Sequence, residues 1–185
     1  MYKAVIKETE ERMHKSIEAL LHEFNSVRTG RANASLLDNV KIEYYGTHMP
    51  INQVATVNVP DARMITLQPW DKGMLGTIEK AIREANLGLN PSNDGILIRL
   101  PIPPLNEERR KELAKLVKKY GEEAKIAVRN IRRDSNEKLK KLEKDKSISE
   151  DDLRDAEEEV QKVTDRFIKE IDGHVAHKEK EIFEV

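Results

Sequence analysis

The chain has 185 residues, 36% of them charged and only 4% aromatic, and it contains no cysteine. Long solvated helices suit that composition better than a thick globular core, and disulfides and thiolate metal sites are excluded. The net charge of −1 hides an uneven distribution: residues 106–140 carry twelve basic against seven acidic side chains, and residues 141–185 carry nine against fifteen. Local fields, not net charge, therefore steer partners.

The opening stretch MYKAVIKETEERMHK lacks the apolar run of a secretory signal, and no segment approaches the roughly 18 apolar residues of a membrane span. A soluble, cytoplasmic setting is expected. Val5, Thr9, Met13, Ile17, Leu20, Phe24 and Val27 recur at steps of three and four, which predicts a first helix. It should stop near Thr29 and Gly30, with Gly30 taking the left-handed position after the helix. Val40, Ile42 and Tyr44 then alternate with polar residues as a half-buried strand does, and Gly46-Thr47 reads as a turn. Segments 55–59 and 64–67 flank Pro60-Asp61-Ala62-Arg63, a hairpin connection. Asp71 can cap a helix over 72–86 that carries Leu75, Ile78, Ala81, Ile82 and Ala85 inward. Residues 90–95 read as a loop and 95–100 as a last strand.

A second helical stripe runs Leu113, Leu116, Val117, Tyr120, Ala124, Ala127, Ile131 and Leu142. A third runs Leu153, Ala156, Val160, Val163, Phe167, Ile171, Val175 and Ile182, opened by Ser149 as N-cap with Asp152 three residues on. The short link over 144–148 makes these two helices antiparallel neighbours. Each helix is polar around most of its circumference, so the three stripes must face one another in a bundle. The fold class is α+β: a long three-helix bundle from residues 1–29 and 106–185, with a small α+β domain, 30–105, inserted. Pro101, Pro103 and Pro104 stiffen the return connection, and Asn106 can cap the second helix ahead of Glu107 and Glu108.

The second helix contains VRNIRRDSN. At about 100° per residue, Lys118, Arg129, Arg132 and Asn136 fall within about 40° of Lys125, with Arg133 at about 80°. These residues form a basic column beside the apolar seam and pointing away from it, with no acidic member between Lys125 and Arg133 on that face. A solvated helix face is the ordinary reading of such a pattern. Arginine in a lysine-rich helix points instead to phosphate, which its planar fork engages bidentately. His174 and His177 lack a third ligand at suitable spacing, so a metal site is not expected there. Trp70, Tyr44 and Tyr45 could stack on bases or pack within the domain. No nucleotide-binding or hydrolase motif occurs, and an enzyme is not expected.

In order along the chain stand Arg28-Thr29-Gly30-Arg31-Ala32, Leu36-Leu37-Asp38, Glu43-Tyr44-Tyr45-Gly46 and Leu87-Gly88-Leu89-Asn90-Pro91. They are followed by Ile98-Arg99-Leu100-Pro101, Pro103-Pro104-Leu105, Glu108-Arg109-Arg110, Val128-Arg129-Asn130-Ile131-Arg132-Arg133-Asp134, Lys144-Asp145-Lys146 and Ile148-Ser149-Glu150-Asp151-Asp152. With these motifs the chain resembles the bacterial ribosome recycling factor family over essentially its whole length. The resemblance implies an L-shaped, transfer-RNA-sized monomer with a three-helix arm and a β/α/β arm. Its hinge would comprise Thr29, Gly30, Arg31 and Ala32 with Pro103, Pro104, Leu105 and Asn106.

The implied role is ribosome recycling after translation termination. The protein would bind between the subunits at the A site and split the ribosome with elongation factor G and GTP, and initiation factor three would then keep the subunits apart. No cofactor of its own is implied, since GTP is used by elongation factor G. The arginine cluster maps onto Arg129, Arg132 and Arg133, which would lie on large-subunit ribosomal RNA with Lys118, Lys125 and Asn136 in the same column. Ala34 stands where proline is common in the family, and Asn106 replaces the usual threonine cap. The competing expectation is a non-enzymatic helical scaffold that binds a protein partner through its acidic third helix.

Overall fold

The computed structural model describes residues 2–27 and 29–184. Arg28, the first residue of the first motif, lies outside them. Its helices are α1 (Tyr2–Asn25), α2 (Leu75–Glu84), α3 (Glu107–Lys144) and α4 (Glu150–Phe183), and its strands are β1 (Lys41–Tyr44), β2 (Thr47–Pro50), β3 (Ala55–Asp61), β4 (Met64–Pro69), β5 (Ser92–Asn93) and β6 (Ile98–Pro101). The chain forms two compact units, residues 1–24 with 114–181 and residues 25–113 with 182–185. Among the described residues no helix is long and apolar enough to cross a membrane.

The first unit is the three-helix bundle. Lys138 pairs with Glu8 at 2.7 Å and Arg12 with Asp134 at 3.0 Å, so α1 and α3 run antiparallel. Arg166 of α4 meets Glu10 of α1 at 3.3 Å. The predicted stripes are buried at Met13, Ile17, Leu20, Val117, Ala124, Ile131, Ala156, Val160 and Ile171. Val128 and Leu139 are fully buried although the predicted stripe passes over them. Both lie at helical spacing from its other members, and the stripe is wider than a single row of positions.

Thr9 and Ser135 are buried polar residues whose hydroxyl oxygens lie 2.6 Å apart. Thr9 donates its proton to the Val5 carbonyl at 2.7 Å, so Ser135 is the donor between them. Each hydroxyl thus has a partner, and the pair does not leave a costly orphan in the core. The Ser149 cap forms as expected: Asp152 N–H donates to Ser149 Oγ at 3.0 Å, and Ser149 N–H donates to Asp152 Oδ2 at 3.2 Å. Asn106 caps α3 by accepting from Arg109 N–H at 2.7 Å.

The second unit contains a β1-β2 hairpin and an antiparallel sheet in the order β3-β4-β6-β5. Its core includes Val40, Ile42, Ile65, Leu67, Ile78, Ile82, Ile98 and Leu100. Several expected boundaries move. Helix α1 ends at Asn25 and not near Thr29, where Asn25 and Ser26 favour caps over helix interiors and Ser35 Oγ donates to the Asn25 carbonyl at 3.4 Å. Gly30 has φ +80, and a Cβ there would stand 3.7 Å from Leu105. The backbone conformation, not lack of space, requires glycine.

Strand β2 occupies residues not expected to be strand, because Tyr45 and Gly46, at φ 49 and 81, turn the chain in two residues. The expected four-residue connection over 60–63 is shorter, since β3 continues through Pro60 to Asp61. The proline is tolerated because β3 is an edge strand and its register shifts between Asn58 and Asp61. The helix expected over 72–86 is a 3-10 turn, Lys72–Met74, followed by α2, with Asp71 Oδ1 accepting from Gly73 N–H at 2.9 Å.

Gly121 of α3 packs directly against Val175 of α4. A Cβ at that position would lie 2.5 Å from Val175 Cγ2, and a β-branched side chain on a helix has no free rotamer into which to retreat. Gly121→Ala gains about 1 kcal/mol of helix propensity but overpacks at a cost of about 1–3 kcal/mol. The expected net result is a lower urea midpoint by equilibrium unfolding, with Gly121→Ala/Val175→Ala recovering most of the loss. A variant at least as stable as the parent would show that the helices separate freely here.

Candidate nucleic-acid interface

The basic column lies along the face of α3 that borders α4. Lys118 pairs with Glu179 at 3.9 Å, and Lys125 pairs with Asp172 and with Glu122, the latter at 3.4 Å. Lys125 is only 16% exposed. Its hydrogen bond to Asp172, opposed by burial and reinforced by the charges of Asp172 and Glu122, raises its pKa above the usual lysine value. The stretch free of acids on α3 itself therefore faces an acid supplied by α4, which no reading of α3 alone could include.

Four residues further along α3 the situation changes. Arg129 is half-buried and Arg133 exposed, and among the described residues neither has a carboxylate within ion-pair distance. Arg132, expected to be exposed, is half-buried because it lies against α4, with Nη1 3.5 Å from Gln161 Oε1. Gln161 in turn donates to Asp165 Oδ1 at 2.8 Å. The amide thus stands between guanidinium and carboxylate and orients Arg132 without neutralising it. Asn136 is half-buried, and its enclosed Oδ1 has no donor among the described residues. Gln161 was not legible as a site residue, and only the antiparallel α3–α4 register brings it to Arg132. Ile126, 54% exposed, is also new here: it stands three and seven positions before Arg129 and Arg133, on their side of the helix.

The unpaired arginines can engage phosphate oxygens without first breaking an ion pair, whereas Lys118 and Lys125 would have to exchange a carboxylate for a phosphate. His174 and His177 are each set against a glutamate on the same helix, Glu170 and Glu181. Among the described residues no group of three or more His, Cys, Asp or Glu side chains is arranged to hold a metal.

The residues expected to form a hinge all fall in the second unit. Ala32 N–H donates to the Ala62 carbonyl at 2.7 Å, and Ile102 N–H donates to the Arg63 carbonyl at 2.8 Å. Both connecting segments are therefore tied to the same β3–β4 turn. Leu105 is buried and lies beside Gly30. Arg31, Pro103, Pro104 and Asn106 are exposed, while Thr29 and Ala32 are half-buried.

A helical bundle interrupted after its first helix by a small antiparallel sheet and one helix, with an arginine column on the second bundle helix, defines an α+β class of two-unit proteins. The model of the ribosome recycling factor family matches residues 20–183, and the chain belongs to that family. It is 60% identical over 182 residues to the ribosome-recycling factor of Nitratidesulfovibrio vulgaris (strain DP4), covering 98% of each chain. It is 57% identical over 185 residues to that of Bacillus subtilis (strain 168), covering 100% of each. A structure described as the solution structure of the ribosome recycling factor superposes with a TM-score of 0.79 at 44% identity, covering 100% of this chain and 98% of the other. A second, with a TM-score of 0.68 at 50% identity and full coverage of both chains, is described as the T. thermophilus ribosome recycling factor and the E. coli elongation factor G bound to the E. coli post-termination complex.

Asp172→Asn is expected to lower stability by roughly 0.5–1 kcal/mol at neutral pH, the scale of a partly exposed charge pair. The folded-state pKa of Lys125 is raised, so the pair's contribution is complete below the unfolded lysine value and is lost as pH rises through the raised one. Urea unfolding at a series of pH values should show the parent and the variant converging above that point. A difference independent of pH would assign the loss to packing.

Proposed function

We propose that this chain recycles ribosomes after translation termination, binding the post-termination ribosome between its subunits at the A site. Together with elongation factor G and GTP it splits the ribosome, and initiation factor three then keeps the subunits apart. The observation that carries the reading is the patch of Arg129, Arg132 and Arg133, which among the described residues have no carboxylate partner, whereas Lys118 and Lys125 of the same column are paired. Large-subunit ribosomal RNA supplies the phosphates this patch lacks, with Asn136 completing the contact and Lys118 and Lys125 extending it. The complex described for the T. thermophilus relative supports the same partners.

In this reading the chain is not an enzyme and works in the cytoplasm as a monomer, and the nucleotide chemistry belongs to elongation factor G. The functional domains are the bundle, 1–29 with 106–185, and the insert, 30–105. Thr29, Gly30, Arg31, Ala32, Pro103, Pro104, Leu105 and Asn106 form the hinge between them. The left-handed Gly30, in the connection between α1 and β1, supports that assignment. A bundle arm held on RNA while elongation factor G turns the smaller arm would strain the bridges between subunits.

Light scattering of post-termination ribosomes tests the activity: a fall is expected only when this protein, elongation factor G and GTP are all present. A fall without this protein, or none with competent ribosomes and factor, would favour a helical scaffold. Arg132→Ala is expected to retain the helical circular dichroism signal. It should weaken ribosome binding and reduce the slope of log affinity against log salt by about one unit. An unchanged slope would remove Arg132 from the phosphate contacts.

A further inference from the structure

Away from the arginine column, the second unit holds a cavity of about 320 Å³ lined by Tyr44, Gln53, Val54, Trp70 and Asp71. Trp70 remains 65% exposed, yet it is not loose. Its indole N–H donates to Thr56 Oγ1 at 2.9 Å and its backbone N–H to the Val54 carbonyl at 3.1 Å. Tyr44 is half-buried, and Tyr45 meets it edge to face with ring centroids 4.4 Å apart. Burial first, and then the proximity of Tyr45 and Asp71, raise the Tyr44 pKa above the ordinary tyrosine value, so the phenol stays neutral.

Tyr45 is 85% exposed and left-handed, at φ 49. A bulky side chain is unfavourable in that conformation, and a two-residue turn of this kind prefers asparagine before glycine. Backbone strain retained at an exposed aromatic residue is a mark of a functional site. Asp71 gives Oδ1 to the Gly73 N–H at 2.9 Å and has no ion-pair partner among the described residues.

We propose that Tyr44, Trp70 and Asp71 form an aromatic-and-carboxylate cage that receives an arginine or lysine side chain of a protein partner. Ring faces attract a cation through their quadrupole, and a carboxylate at the edge of the same cavity adds charge pairing. Bases stack on aromatic rings too, but sites for single-stranded nucleic acid pair those rings with basic groups that follow the backbone. Among the described residues no lysine or arginine lines this cavity, and Asp71 puts negative charge where a phosphate would approach. The site goes beyond the recycling reading and does not depend on it.

Trp70 is the chain's one tryptophan, so its emission reports on the cavity directly. Titration of the full chain with N-acetyl-arginine amide at constant ionic strength is expected to give a saturable change in Trp70 fluorescence. The neutral isostere N-acetyl-citrulline amide should bind about tenfold more weakly or worse. Asp71→Asn, whose side chain can still cap the following turn, should raise the arginine-amide midpoint by about tenfold with unaltered circular dichroism. Tyr44→Leu should do the same, and its chemical unfolding curve shows whether the unit is intact. Equal midpoints for the arginine and citrulline amides, or no effect of Asp71→Asn, would overturn the cage. Saturation by adenosine but not by arginine amide would overturn it in favour of a base-stacking platform.

Discussion

The contact between Gly121 and Val175, with the Lys125–Asp172 ion pair one helical turn away, sets how α3 lies along α4. The rest of the arginine face depends on that register. Backbones can approach this closely only at a residue without a side chain, and a half-buried lysine tied to a specific carboxylate disfavours a slip. A shift of four residues along α4 would bring Asp172 level with Arg129 and neutralise it. In the observed register Asp172 and Glu179 of α4 meet lysines, and Arg132 meets the amide of Gln161. The acidic composition of α4 therefore does not cancel the basic face of α3, and instead divides it into a paired lysine stretch and an unpaired arginine stretch.

The same bundle contains polar groups with only local work to do. Thr9 and Ser135 satisfy one another inside the core, and Thr164, fully buried on α4, donates to the Val160 carbonyl at 2.7 Å. Their hydroxyls are matched, so they add specificity of packing without leaving an orphan. Asn136 Oδ1 is the contrast: it is enclosed beside the arginines and has no donor among the described residues. In the second unit, the β3–β4 turn receives both chain connections through Ala62 and Arg63. The edge position of β3 makes this possible, because the bulge and Pro60 bend the strand end out of regular pairing.

Much of this arrangement was legible because helical periodicity and capping are local. The stripes through Ile17 and Leu20, Val117 and Ala124, and Val160 and Ile171 mark faces that any helix of this sequence would bury. The Ser149–Asp152 cap needs only three residues of spacing. Misplaced boundaries fell where local signals conflict. Gly30 suggested a helix end, but the cap-favouring residues before it had already closed α1 at Asn25. Strand β2 was missed because His48 and Pro50 weaken its alternation, although the Tyr45-Gly46 turn defines a hairpin. Arg132 was expected to be exposed because the angular position of a side chain on one helix says nothing about a neighbour leaning over it.

The sequence by itself determined the α+β class, the three amphipathic helices, their caps, and the concentration of arginine at 129–133, since each follows from residue type and spacing within one element. Only the tertiary structure decided which basic residues stay unpaired, that Gln161 orients Arg132, and that Tyr44, Trp70 and Asp71 surround one cavity. Those features depend on side chains that lie far apart in the chain and meet through helix register and strand pairing. Charge pairing acts over a few ångströms of space, whatever the separation along the sequence.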